Sequence, residues 1–552
     1  FLAARGGPPE LALVFDRALS GTGRSCDERA RLLEALEQAA RQRNVRPSGD
    51  GRRLLPLLNE AHERLRMAAA RLAGLWKLEA ARPRLVELAR AAKTSEAVYQ
   101  AAVDGLATLG GQASTEALEK LVIEEDLSAA STAGLSTRRR LALIALVQLD
   151  AKIAARHASA LFASGGGQPS GDDSTAASLF EAFLQRKGGA ALLAAALRGQ
   201  RLPPDIARIG LRMLRSTGRP DEGLAEVLTK AGGLTFGART LSPQEMQAMI
   251  ADVARQGDPK RGEAVFRRKD LACLKCHALG GAGGQVGPDL SSIGASAPVD
   301  YLIDSLLQPN KAIKENYHAL LVTTSKGQQY SGIKVRETKT ELVLRDAEDR
   351  EISIPIHDID ERSPGGSLMP DGLTDTLTRG ELLDLVRFLS ELGKVGPYAI
   401  GPQGVVRRWQ ALEPTHAAWT FLHLGGGLAT PAKDERDLQW ASVYSTVAGI
   451  LPLADVPSFS LGKDKHAVSL IRCHVDVTTA GPFRIRLNST KGLKLWINQN
   501  PTPVKETLEA NLPVGMHTLT FVVDRTERRE GLRCEVTDKP GSPARVRVVG
   551  GK

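Results

Sequence analysis

Cys273-Leu274-Lys275-Cys276-His277 is the stretch on which the reading of this chain turns. Two thiols three positions apart, followed at once by an imidazole, form the C-x-x-C-H attachment signal for c-type haem. On one helical turn the two sulfurs reach two vinyl groups along one edge of a porphyrin. The adjacent His then turns its ring up to the iron from below and, as an axial ligand, helps set the redox potential. The expected cofactor is one covalent haem c, bound through Cys273 and Cys276, with His277 on the metal.

Three other readings compete. In a zinc site the two thiolates would be half of a tetrahedron, and a second Cys or His pair should follow at suitable spacing; none does. A thioredoxin-like C-x-x-C requires a βαβ setting. Upstream, Pro259 to Lys269 reads as a helix with no strand before it. Coincidence is the third reading, and the flanking sequence argues against it.

At 552 residues the chain is long enough for three or four domains, and its 42% apolar content is ordinary for globular protein. The net charge of +10 is spread along the chain rather than gathered in a block. No nucleic-acid motif accompanies it, so solvated basic faces are the better reading and no nucleic-acid partner is expected. Of the five cysteines, haem takes two. Cys473 and Cys534 fall in strand-like runs, where a disulfide is one of two open readings, and Cys26 is left over. No apolar run approaches the roughly 18 residues that span a bilayer. The sequence starts at Phe1 without a signal pattern. Because c-type haem is attached outside the cytoplasm, an export signal upstream and a periplasmic or otherwise extracytoplasmic location are expected.

Residues 1–235 are rich in Ala, Leu and Arg, with short amphipathic helices broken by Gly. One pattern recurs: Gly74-Leu75-Trp76-Lys77-Leu78, Gly105-Leu106-Ala107-Thr108-Leu109, Ala145-Leu146-Val147-Gln148-Leu149 and Gly210-Leu211-Arg212-Met213-Leu214. The first steps suit helix pairs, and the last is long enough to hide another unit near Phe180 to Leu197. The segment resembles a HEAT or armadillo-like solenoid, which implies a docking scaffold; an irregular helical domain without a partner is the alternative. Gly165 to Asp173 reads as a loop. His62 and His157 stand singly in helices and are not expected to be ligands. Residues 236–256 form a connector, its helix started by Ser242-Pro243 and ended at Gly257.

Residues 257–400 surround the haem signal. A helix precedes it, and a Gly-rich loop leads on to Gly287-Pro288-Asp289-Leu290. A second helix, Glu381 to Leu392, carries Leu382, Leu385, Val386 and Leu389 on one face. Only two methionines follow the Cys pair, Met369 and Met516. Met369 lies in Ser367-Leu368-Met369-Pro370, just before the closing helix; this resembles the place of the distal methionine in cytochromes c, and that resemblance makes it the expected sixth ligand. His318, His357 or an open position are the alternatives, and a core methionine is the bland reading. Between His277 and Met369 the period changes from helix to strand. His318 to Thr324, Gln328 to Thr338, Glu341 to Asp346 and Glu351 to Ile356 read as four strands, with turns at Lys326-Gly327 and Glu348-Asp349-Arg350. This is expected to be a small SH3-like or Sm-like β-barrel inserted over about residues 317–362.

These elements are similar to class I cytochrome c. More specifically, residues 257–394 resemble the haem-binding domain at the C-terminal side of large dehydrogenase-like proteins of Planctomycetes and Verrucomicrobia. The resemblance is carried by Cys273-Leu274-Lys275-Cys276-His277, Gly287-Pro288-Asp289-Leu290, Tyr301-Leu302 with Gln308-Pro309-Asn310, the inserted strands, Ser367-Leu368-Met369-Pro370 and Asp384-Leu385-Val386-Arg387-Phe388-Leu389. It covers about a quarter of the chain. It implies that the Pro288 carbonyl accepts a hydrogen bond from the His277 imidazole. It implies also that electrons arrive from a dehydrogenase unit. HEAT-like repeats often precede that domain, as here, and a β-propeller often precedes both; no propeller is visible in this sequence.

Residues 401–552 follow a linker at Gly401-Pro402-Gln403-Gly404 and read as short strands and turns, a β-sandwich. The run Asn488 to Asn498 and the strand at Val514 to Leu519 resemble PA14-like and related carbohydrate-binding sandwiches. That makes carbohydrate a candidate ligand and Trp496 either a sugar platform or a core residue.

The expected fold is multidomain: an all-α helical repeat, a cytochrome c-like α domain with an inserted β-barrel, and a terminal β-sandwich. The expected function is electron transfer, with no catalytic residues of its own and a redox partner protein or dehydrogenase domain as donor. A peroxidase-like haem enzyme with an open sixth site, and an adhesion or assembly protein with a structural haem, are the alternatives.

Overall fold

A computed structural model describes residues 5–20, 23–128, 137–163, 174–216, 221–325, 328–401, 404–424, 438–461 and 466–550. The expected 165–173 loop, the Lys326-Gly327 turn and two linker residues, Pro402 and Gln403, lie outside these. The chain divides into two compact units, residues 1–235 with 376–379, and residues 236–375 with 380–552. Helices build the N-terminal part and antiparallel sheets dominate the C-terminal part.

In the first unit, successive helices share one apolar cluster running from Leu11 to Leu228. The glycines of the recurring pattern sit where helices touch. A β-carbon at Gly74, on Glu63–Leu75, would fall 2.6 Å from the Gly105 carbonyl oxygen on Glu96–Leu109. One at Gly105 would meet the Ala70 carbonyl at the same distance. Only glycine permits that backbone approach. Gly210 lies against the Phe180 ring, which itself stacks on Phe162 at 4.6 Å. The long gap between the third and fourth copies of the pattern contains the helices Ser174–Leu184 and Gly189–Leu197. His62 lies 3.7 Å from Asp27 and His157 lies 3.1 Å from Glu119, each a single His beside a carboxylate.

In the second unit, Pro243–Gln256 begins with a capping box. Ser242 Oγ accepts the Glu245 N–H, and the Glu245 carboxylate accepts the Ser242 N–H. Pro259–Phe266 is capped by Asp258, whose carboxylate accepts the N–H groups of Lys260 and Arg261. It crosses Arg379–Glu391 at Gly262, where a β-carbon would overlap the Asp384 carbonyl. The crossing is sealed by the Phe266–Phe388 ring pair at 5.6 Å and by Arg261, which donates to Asp384 at 2.7 and 2.9 Å.

The insertion is a five-stranded antiparallel sheet with order Glu351–Pro355, Glu341–Arg345, Gln329–Glu337, His318–Thr324, Ile359–Ser367. Its core is Val322, Leu342, Leu344 and Ile354. The fifth strand extends the insertion beyond residue 362 to Ser367. Its sequence, ending Ser-Pro-Gly-Gly-Ser, has weak strand propensity. It pairs only at the sheet edge, with register shifts, where Pro and Gly are tolerated. No ladder joins Ile359–Ser367 to Glu351–Pro355 among the described residues, so hydrogen bonding leaves this sheet open.

After residue 404, two antiparallel sheets enclose a second cluster. The larger is centred on His466–Thr479 and Gly515–Asp524, and the smaller has the order Thr507–Leu512, Gly481–Leu487, Cys534–Asp538. Cys473 and Cys534 are buried, one in each sheet, and are not joined in a disulfide. Burial pushes the Cys534 thiol up to about 12 and raises Cys473 as well. A helix that strand patterning does not reveal, His416–Leu424, contributes Ala418, Phe421 and Leu422 to a satellite cluster that includes Trp496. Trp496 is 5% exposed, a core residue without a free face for a sugar.

Candidate functional site

The Cys turn is built by its neighbours rather than by its own length. Ala272, in a left-handed conformation at φ 54°, reverses the chain into the four-residue helix Cys273–Cys276. The His277 N–H closes the turn on the Cys273 carbonyl at 2.8 Å. The chain then makes a short hairpin, Ala278–Leu279 with Ala282–Gly283, and wraps back. Gly284 N–H donates to the Leu274 carbonyl and Gly287 N–H to the Cys276 carbonyl, at 3.0 and 2.8 Å. The Asp289 carboxylate holds the loop by accepting the N–H groups of Gly281 and Ser291.

This wrapping places the His277 ring. Its Nδ1 lies 2.9 Å from the Pro288 carbonyl oxygen. A carbonyl only accepts, so Nδ1 carries the proton and Nε2 keeps its lone pair. Gly287 lies flat against the imidazole: a β-carbon there would come within 2.7 Å of Nδ1. Burial lowers the His277 pKa, against the opposing pull of the Pro288 carbonyl, and so favours the neutral ring a metal needs. Burial also pushes the Cys273 thiol up to about 12. One turn thus presents two thiols and one oriented imidazole. That donor set fits a haem, which brings its own four equatorial nitrogens. Among the described residues, no group of three or more His, Cys, Asp and Glu is placed to hold a bare metal ion.

Met369 is half-buried and follows the fifth strand of the insertion. Its N–H donates to Ser367 Oγ at 3.1 Å, and the Ser367 N–H donates to Asn310 Oδ1 at 2.8 Å, pinning the start of the segment. The hydrogen bonds that fix His277 come from Pro288 and the 284–290 loop, and none described here comes from the Met369 segment. The rival ligands His318 and His357 are both exposed, and His357 lies beside Asp358.

Two contacts on the site are not visible in the sequence. The insertion reaches the loop through Arg345, which donates to the Gln285 side chain, and through Asp349, which accepts the Gln285 N–H. The C-terminal sheet region grips the first helix. Arg267 donates to the Ser445 carbonyl at 2.7 Å and pairs with Asp455, while Glu263 accepts the Val447 N–H at 2.6 Å. Arg407, also from the C-terminal sheet region, lies against Gly280 of the hairpin that follows His277. These pairings join residues 60 or more positions apart, so no local pattern announces them. No protein-family model matches the chain, and no curated protein aligns with it significantly.

Proposed function

We propose that this chain is an extracytoplasmic c-type cytochrome that carries single electrons, accepting them from a dehydrogenase unit on another chain or domain. The observation that carries the reading is the His277 imidazole. It sits directly after two thiols on one turn, with Nδ1–H donating to the Pro288 carbonyl and Nε2 left with its lone pair for a metal. Cys273 and Cys276 would hold the porphyrin edge, and His277 would ligate the iron. Met369, on the pinned segment before the closing helix, would be the second protein ligand to the iron. The bound haem supplies a one-electron ferrous–ferric couple, and a His/Met pair raises its potential relative to bis-His ligation, which suits accepting electrons from an organic oxidation. The chain's part is to orient the imidazole, keep it neutral and exclude water from the ring. The helical N-terminal unit is read as a HEAT-like docking scaffold. No described helix is long and apolar enough to cross a membrane.

The test is expression of the chain with haem-maturation machinery, followed by reductive titration under visible spectroscopy. A low-spin, reversible haem with a methionine–iron charge-transfer band, lost in Met369→Ala, is the expected result. A high-spin ferric spectrum unaffected by Met369→Ala would instead assign an open site, and absence of a haem band would overturn the proposal.

A further inference from the structure

We infer that Arg407 of the sandwich is a potential-setting residue for the haem site: its guanidinium is a desolvated positive charge laid against the hairpin after His277, and it favours the ferrous state. The inference rests on the haem reading above.

Arg407 is 7% exposed. Its Nε has no hydrogen-bond partner among the described residues. Buried polar groups are nearly always satisfied, and a buried charge left partly unsatisfied costs desolvation that its surroundings do not return. The carboxylate that Arg407 feels, Glu535, is already ion-paired with Arg533, and Arg533 repels Arg407. Two guanidinium groups therefore share one carboxylate, which leaves a net positive charge. Burial, followed by Arg533, pulls the Arg407 pKa down, yet a guanidinium stays protonated at neutral pH. Nothing in the sandwich explains why the charge is kept.

Its position offers an explanation. The β-carbon position of Gly280 lies 3.0 Å from Arg407 Cδ and 3.2 Å from Nε, so the side chain lies flat on a loop that only glycine leaves low enough. Gly280 is three residues after His277, in the turn of the hairpin that leads on to the 284–290 loop. Ile400 packs on the same spot, and Gly550 lies on Gly281. This packing covers the Nε side of the guanidinium, so the charge is less screened than one on the open surface. Oxidation adds one positive charge at the iron. A fixed cation nearby opposes that change and raises the midpoint potential, in the direction an electron acceptor needs.

The experiment is spectroelectrochemical titration of the haem-loaded full chain. Arg407→Gln should shift the midpoint potential downward with the absorption spectrum and ligation unchanged, and Arg407→Lys should hold it near the wild-type value. Should Arg407→Gln fail to fold, Glu535→Gln leaves Arg407 in place, removes its counter-charge and should shift the potential upward. An unmoved potential in folded Arg407→Gln, an equal fall in Arg407→Lys, or no rise in Glu535→Gln overturns the inference. A wild-type chain that takes up no haem overturns instead the reading beneath it.

Discussion

His277 shows how much a single residue can owe to its neighbours. The imidazole has a defined tautomer because one nitrogen meets a carbonyl, and a defined tilt because the residue facing it has no side chain. Gly287→Ala would drive a methyl group into the ring. The expected cost is about 1–3 kcal/mol, the range for overpacking a close-packed site. It should appear in denaturant unfolding together with a shift of the loaded protein toward high spin. Unchanged stability and spectrum would show that the ring can move aside. The Cys pair and the His were legible from spacing alone. Pro288 was legible only through a resemblance. Gly287 as a stop behind the ring was not legible, because a glycine in a Gly-rich loop carries no mark of which glycine touches what.

The helix crossing is the element on which the Cys273–His277 segment rests. Asp384 is 5% exposed and accepts the Asp258 N–H at 2.6 Å as well as both Arg261 bonds. Asp384→Ala strands a backbone donor and a guanidinium; since Arg261 is half exposed, the cost should be about 1–3 kcal/mol rather than that of a fully buried pair. Asp258→Ala removes a helix cap and should cost about 1 kcal/mol. Urea unfolding of both variants tests the order, and a larger loss for Asp258→Ala would contradict it. Periodicity located these helices to within a few residues, because a 3.6-residue repeat is a local property. It missed the Ile359–Ser367 strand and the His416–Leu424 helix. Pro and Gly mask the first, and a strand-rich setting hides the second.

At the scale of the molecule, the C-terminal sheets and the helix before the Cys turn share a half-buried contact that titrates. Burial raises the Glu263 pKa above the ordinary glutamate value, and the Val447 N–H and Arg267 only partly offset it; Tyr398 faces the same carboxylate. A raised folded-state pKa means that the protonated form is the better tolerated. The contribution is full below the unfolded glutamate pKa and is lost as pH rises through the folded value. Glu263→Gln keeps an acceptor for Val447 and should flatten that fall in stability above about pH 4.5, the ordinary value. Denaturant midpoints measured at a series of pH values would show it, and parallel curves for the two proteins would exclude Glu263 as the source. The sequence by itself determined what depends on near neighbours: the thiol–thiol–imidazole turn, the Ser242 cap, most strands, and the change from helix to sheet along the chain. Those signals come from spacing, propensity and period, which act within a few residues. The tertiary structure alone decided which surfaces meet: Gly262 under Asp384, the insertion on Gln285, Trp496 inside a core, and Arg407 on Gly280. Each of these joins residues distant in sequence, and the energy that selects them exists only once both are buried together.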